Sequence, residues 1–452
     1  MDMTINIHQL ISMIEKKIPI PQRINANLEL KVLCPGPDDG DGGDIPTTTP
    51  LKIPETATLI ISPLGCSLHL SETGRGIYNS GRAWILNLSE SEVISGDYSA
   101  KIHLATEEIL AKTPIKLQGL ILCGTCIDAL LNTDYDSICT QLAKRFHLRV
   151  TYQIMGPIIK GTPRNGQYHM YTAIYGLLKS TKRNPGQRSI NILGKLNSPK
   201  TESDLPLLLK QAGITDLFYM GDFSSLDECD KMTNSILNIV VNEKAITSAK
   251  NMEKKFGIPY LYFSPTYNAD KIHNYYTQLS ALLKIRINDD IFFHHSKELS
   301  RKIQKHARSL TCAVGERNIF STLDAALDVL NLGYQLKAIF LRKAGPSDLP
   351  LLKEIAQKSP DTLIYFDTHP ALWNLINSPV NFDVSFGVPL LYLKGSPKTL
   401  DAPIHFPYID YSSLDVLLSQ MEQLLSPPIH QHTATTNLVS LKRQWNTYER
   451  SI

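Results

Sequence analysis

At 452 residues, with 46 Lys and Arg against 43 Asp and Glu and a formal charge of +3, the chain is too long for one ordinary core and has no large excess of either sign. The mixed charge excludes a nucleic-acid stripe and a polybasic membrane face, and no apolar run approaches a membrane span. The opening stretch MDMTINIHQLISMIEKKIPIPQR alternates apolar and polar residues and lacks the continuous apolar core of a secretion signal, so the expectation is a soluble cytoplasmic protein. Seven cysteines, an odd number in a large chain of this kind, read as reduced thiols rather than a disulfide framework.

Up to about residue 187 the strand candidates are LELKVL at 28–33, TATLIIS at 56–62 and LQGLIL at 117–122. PGPDDGDGGDIPTTTP, between the first two, reads as a flexible loop; its aspartates fail the EF-hand spacing and lack the terminal Glu of a calcium loop. From residue 188 short β-branched runs alternate with helical-period segments. The runs are SINILG, TDLFYM, LNIVV and GIPYLYF, then TCAVGE, LKAIFLR, TLIYFDT and FDVSFGV from 311 to 388. Amphipathic stretches such as ESDLPLLLKQAG and NIFSTLDAALDVLNLG stop at glycine, as helices do. This alternation predicts an α/β fold of three Rossmann-like domains with parallel sheets. The expected spans are 1–187, 188–309 and 310–430, with a helix at 291–308 bridging the last two and a tail, 431–452, packing back on the first.

Cys34 follows LELKVL, Cys66 follows TATLIIS by the short turn PLG, and Cys123 and Cys126 follow LQGLIL, so these cysteines are expected just past the carboxyl ends of three strands. In an open parallel sheet those ends share one edge, where ligands bind. Turn residues beside each cysteine (Pro35 and Gly36, Pro63 and Gly65, Gly124) let backbone amides approach anionic sulfur. A buried cysteine is also a small hydrophobe, and Cys139, Cys229 and Cys312, inside helical or strand patterns, are read that way. The CGTC pair, Cys123 and Cys126, is separately a dithiol candidate, a reading that leaves Cys34 and Cys66 unexplained. A structural zinc wants four ligands, usually in close pairs, and only one such pair exists.

The first section resembles the nitrogenase component 1 superfamily. Its marks are LCPG with Cys34, PLGC with Cys66 and GTCIDALLNTD with Cys126; LSESEVISG at 88–96 is similar to the family's Ser-Glu segment. INILGKLN at 190–197 and LNIVV with MEKKFGIP at 252–259 resemble its second-domain blocks, and the likeness spans most of the chain. The departures are Leu131, Asn132 and Thr133 in place of Ile-Gly-Asp, leaving Asp134, and FPYIDY with Asp410 and Tyr411 near the C-terminus. NEKAITSAK, beginning at Asn242, has no thiol where α-type subunits anchor the active-site metallocluster, and no matching cofactor histidine is evident near residue 400.

The resemblance implies that Cys34, Cys66 and Cys126 bind an iron–sulfur cluster, four-iron four-sulfur or P-cluster type, with the remaining coordination from a homologous component 1 subunit across a hetero-oligomer interface. Cys123 is the internal alternative for a fourth ligand. It further implies an oxidoreductase subunit, active only with its partner, that relays electrons from an ATP-dependent iron-protein reductase to a substrate-reducing site. The chain has no G-x-x-x-x-G-K-[ST] loop, so ATP chemistry belongs elsewhere. The alternatives are a scaffold subunit for metal-cofactor assembly and a free-standing CxxC thiol oxidoreductase. KGTPRNGQYHM, with Lys160, Arg164, Tyr168 and His169, is either a solvated loop or part of a pocket. Neither a nucleic-acid nor a membrane partner is expected.

Overall fold

The computed structural model describes residues 4–16, 49–63, 65–66, 82–113, 115–155, 166–181, 188–199, 203–315, 321–366, 382–387, 398–400 and 409–425. In chain order the strands are β1 (Thr4–Asn6), β2 (Thr56–Pro63), β3 (Ala83–Leu88), β4 (Gly119–Gly124) and β5 (Arg149–Ile154). Then come β6 (Ser189–Leu193), β7 (Asp216–Phe218), β8 (Leu237–Val240) and β9 (Tyr260–Tyr262). The last are β10 (Thr311–Val314), β11 (Gln335–Leu341), β12 (Leu363–Phe366), β13 (Val384–Phe386) and β14 (Lys398–Leu400).

They form three sheets, β3-β2-β4-β5, β7-β6-β8-β9 and β1-β12-β11-β10-β13-β14, parallel except where β1 joins β12. The central strands are apolar along their whole length because helices and neighbouring units cover both faces. β4 is buried at every position, and β2 from Thr56 through Ser62. Apolar clusters cover the first sheet on both faces: one holds Ala57, Leu59 and Ile61, the other Ile60, Ile121 and the helix Gly166–Gly176.

The start of the chain departs from the expected division. β1 pairs antiparallel with β12, Thr4 opposite Tyr365, so residues 4–16 join the third sheet although they were counted with the first 187. The helix Ile7–Glu15, capped reciprocally by Asn6 and Gln9, buries Ile7, Leu10 and Ile14 at helical spacing in the core beside the third sheet. The expected bridging helix spans Asp290–Ala307 and packs on the helix Tyr411–Leu425, where Ser296 donates to Asp415 at 2.5 Å. The strand expected at 28–33, most of the Asp/Gly-rich loop and the tail 431–452 lie outside the described residues. No helix among the described residues is long and apolar enough to cross a membrane.

Candidate metal centre at the edge of the first sheet

β2 and β4 are direct neighbours, with Ile60 opposite Cys123, so the turns that leave their carboxyl ends emerge side by side. Cys66 lies three residues past β2, and Cys126 opens the helix Cys126–Leu131 two residues past β4. Both thiols are partly exposed. Burial pushes the Cys126 thiol up from its ordinary pKa, the Cys66 thiol adds to that rise, and the backbone amides of Cys126 and Ile127, which donate to the sulfur, oppose it. The structure therefore brings Cys66 and Cys126 within electrostatic reach of each other. Cys34 lies outside the described residues.

Cys123 departs from its expected place. β4 extends two residues further than the apolar run implied, because Gly124 still accepts from the Met155 amide at 2.8 Å, and Cys123 sits inside the strand. It is 0% exposed, its sulfur accepts from Gln153 Nε2 at 2.7 Å, and burial pushes its thiol up to about 12. Such a sealed neutral thiol is not an exchange nucleophile, so the geometry does not support a CGTC dithiol and gives Cys123 no place at the edge. Cys139, Cys229 and Cys312 are buried as small hydrophobes, as read from the sequence.

This donor set fits an iron–sulfur group. Two soft, partly exposed sulfurs follow the carboxyl ends of neighbouring strands, with amides aimed at one of them, while the other four described thiols are sealed in the core. The flanking segment LSESEVISG forms the helix Glu90–Ser95. It is capped by Ser89, and Glu92 is held down to about 2 by hydrogen bonds from Lys101 and from the Ser89 amide and hydroxyl. Asn132, in the left-handed conformation at φ 53°, ends the Cys126 helix, and Asp134 caps the next by accepting from Ser137. Ile94, Leu130 and Leu131, on the helices that leave β3 and β4, are 77%, 68% and 41% exposed.

The sequence reading passed over Asp128, which is 1% exposed behind Cys126. Its signal was the Thr-x-x-Asp spacing from Thr125, the pattern of a helix start. In the turn after β8, Asn242 caps the short helix Glu243–Ala245 by accepting from the Lys244 amide, and no thiol occurs from 242 to 250. Gly194, at φ 92°, lies so close that a Cβ on it would meet the Asn242 Cβ at 2.6 Å. Tyr168 donates to Glu243 at 3.3 Å, with the Lys343 ammonium 5.9 Å from its ring, which places it between units rather than on a free loop. Lys160 and Arg164 lie outside the described residues.

The fold is similar to solved structures of "Nitrogenase Cp1 at pH 6.5" and "Nitrogenase Cp1 at pH 5". TM-scores are 0.68 and 0.56 at 15% identity, covering 90% and 88% of this chain and 95% and 92% of those. Among curated proteins, the chain is 24% identical over 325 residues to the nitrogenase iron-molybdenum cofactor biosynthesis protein NifE of Clostridium pasteurianum, 69% of this chain and 70% of that protein. It is 27% identical over 242 residues to the protein of the same name from Mesorhizobium japonicum (strain LMG 29417 / CECT 9101 / MAFF 303099), of which it spans 47%. The family model described as nitrogenase component 1 type oxidoreductase matches residues 47–384, and with three-quarters of its length inside that match the chain belongs to this family.

Proposed function

We propose that the chain is a scaffold subunit on which a metal cofactor is assembled, and that it binds an iron–sulfur cluster through Cys34, Cys66 and Cys126. The observation that carries the cluster is the pair of partly exposed thiols, Cys66 and Cys126, on the turns that leave the neighbouring strands β2 and β4. The scaffold role is supported by the cofactor-biosynthesis names of the relatives. An iron–sulfur cluster bound there supplies one-electron redox chemistry. The chain's own part is to present sulfurs that lose their protons to the metal and to steady them with backbone amides. The remaining coordination comes from a homologous component 1 subunit, for which the exposed Ile94, Leu130 and Leu131 offer an apolar contact on the same edge. An ATP-dependent iron-protein reductase is the electron source.

The second reading is an electron-relay subunit of a nitrogenase-like reductase, favoured by the oxidoreductase description of the family. One experiment separates the two. The chain and its partner, loaded anaerobically, are supplied with the reductase protein, ATP and an apo acceptor protein. A scaffold hands over metal cofactor once, in stoichiometric amount, and turns over no substrate. Sustained multi-turnover reduction without transfer overturns the scaffold role.

A further inference from the structure

Asp128 is a buried carboxylate that, among the described residues, no lysine or arginine neutralises. Its Oδ2 accepts from the Thr125 amide at 2.6 Å and from the Thr125 hydroxyl at 3.3 Å. Its Oδ1 accepts from Tyr98 at 2.5 Å, Tyr135 at 2.8 Å and the Thr133 hydroxyl at 3.5 Å. The donors are phenols, hydroxyls and an amide, all neutral, gathered from three separate segments. The Asp128 carbonyl also accepts from the Thr133 amide at 3.1 Å, so the residue ties both ends of the Cys126 helix. The fit is tight. A Cβ on Gly124 would meet the Tyr135 ring and hydroxyl at 2.9 Å and Asp128 Oδ2 at 3.0 Å, so the backbone at Gly124 lies directly against both side chains.

Capping the Cys126 helix does not require this arrangement. A serine or asparagine at the cap satisfies a helix start at little cost, whereas a carboxylate sealed among neutral donors is expensive to bury. Asp128 stands two residues after Cys126 on the same short helix, with its Oδ2 bonded to the amide of Thr125, the residue next to the ligand. We propose that Asp128 is a positioning residue for Cys126: its hydrogen bonds hold the Gly124–Cys126 turn, and its negative charge acts on the metal centre that Cys126 ligates. The inference deepens the cluster-binding reading above and rests on it. A negative charge beside a cluster disfavours the added electron and lowers the reduction potential.

The test uses the full chain with its partner subunit, reconstituted anaerobically with iron and sulfide and titrated by electron paramagnetic resonance. In Asp128→Asn the charge is lost, and the midpoint potential moves positive of wild type. In Tyr135→Phe the ring stays stacked on Tyr152 and Asp128 keeps its charge but loses one donor, so the potential moves negative. A role confined to folding does not produce shifts of opposite sign. Shifts of the same sign, or none in either variant, overturn the charge half of the proposal. Hydrogen exchange of the Thr125 amide in the metal-free chain reads the positioning half. Exchange is faster in Asp128→Ala, which removes the acceptor, and unchanged in Tyr135→Phe, and equal exchange in Asp128→Ala and wild type overturns it. Failure of the wild-type complex to take up iron overturns the cluster reading and the charge half with it, while the exchange experiment still decides whether Asp128 holds the turn.

Discussion

Removing the Arg149 guanidinium should loosen the first sheet from the second unit by a large and specific amount. Arg149 begins β5, and its side chain is 7% exposed. It donates to both oxygens of Asp230, at 2.7 and 2.9 Å, and to Asp227 at 2.5 Å. Asp230 is as buried as the arginine, whereas Asp227 is 69% exposed. Truncation to alanine leaves the Asp230 carboxylate, among the described residues, with the Lys179 amide at 2.8 Å as its remaining hydrogen bond. Stranding one partner of a buried pair costs about 3–5 kcal/mol, roughly two to three and a half orders of magnitude in the opening equilibrium. Asp227→Ala, at the exposed end, should cost about 1 kcal/mol or less. The decisive variant is the double substitution Arg149→Met with Asp230→Asn. It removes both charges, keeps an acceptor for the Lys179 amide and should recover most of the loss. Urea denaturation monitored by circular dichroism, together with hydrogen exchange in β5, measures wild type and four variants, Arg149→Met alone among them. Equal small losses for Arg149→Ala and Asp227→Ala, or a double variant no better than Arg149→Met alone, would refute the reasoning.

Cys66→Ser and Cys126→Ser should abolish iron and sulfide uptake on anaerobic reconstitution. Cys139→Ser, Cys229→Ser and Cys312→Ser should keep the metal and lose about 1–3 kcal/mol of stability, the cost of burying a hydroxyl; metal analysis and denaturation separate the classes. Burial pushes the Asp328 carboxyl up to about 6 against the pull of Lys271, Thr266 and the Tyr267 amide. The folded chain therefore holds a proton that the unfolded chain releases. That contribution to stability is complete below about pH 4 and is lost as pH rises through 6, about 3 kcal/mol in all. In Asp328→Asn the decline should flatten, and parallel wild-type and variant curves of unfolding free energy between pH 4 and 7.5 would contradict the assignment. Leu130→Asp or Ile94→Asp, on exposed positions, should alter stability by no more than about 0.5 kcal/mol and weaken association with the partner subunit in sedimentation; unchanged association moves the interface elsewhere.

What could be read from the amino-acid order follows from where each strand sits in its sheet. TATLIIS and LQGLIL became the central strands of the first sheet, buried on both faces, and such strands announce themselves as unbroken apolar runs. AWILNL and RVTYQI, which became β3 and β5, were passed over. They are the two edges of that sheet, partly exposed along much of their length, and mix polar with apolar residues. Cys66 and Cys126 were legible because a turn residue beside a cysteine after an apolar run marks a sheet edge. Cys123 was misplaced because the end of β4 is set by the bond from Met155 to Gly124, a pairing partner that the local pattern does not name. The Thr-x-x-Asp spacing marked Asp128 as a helix-start residue but not its burial: an aspartate on a short helix reads as a solvated side chain until Tyr98 and Tyr135 are brought over it from other segments.

The pairing of Thr4 with Tyr365 also bears on how the molecule comes into being. A ribosome releases the first residues long before the strand that receives them exists, so β1 waits through the synthesis of the first two sheets. Contacts this distant in the chain are slow to form, and the exposed edge of β12 is open to another chain until its own N-terminus arrives. The opening strand can dock only once residues 363–366 have been made, and a nascent chain stalled before residue 363 carries a segment with nowhere to dock.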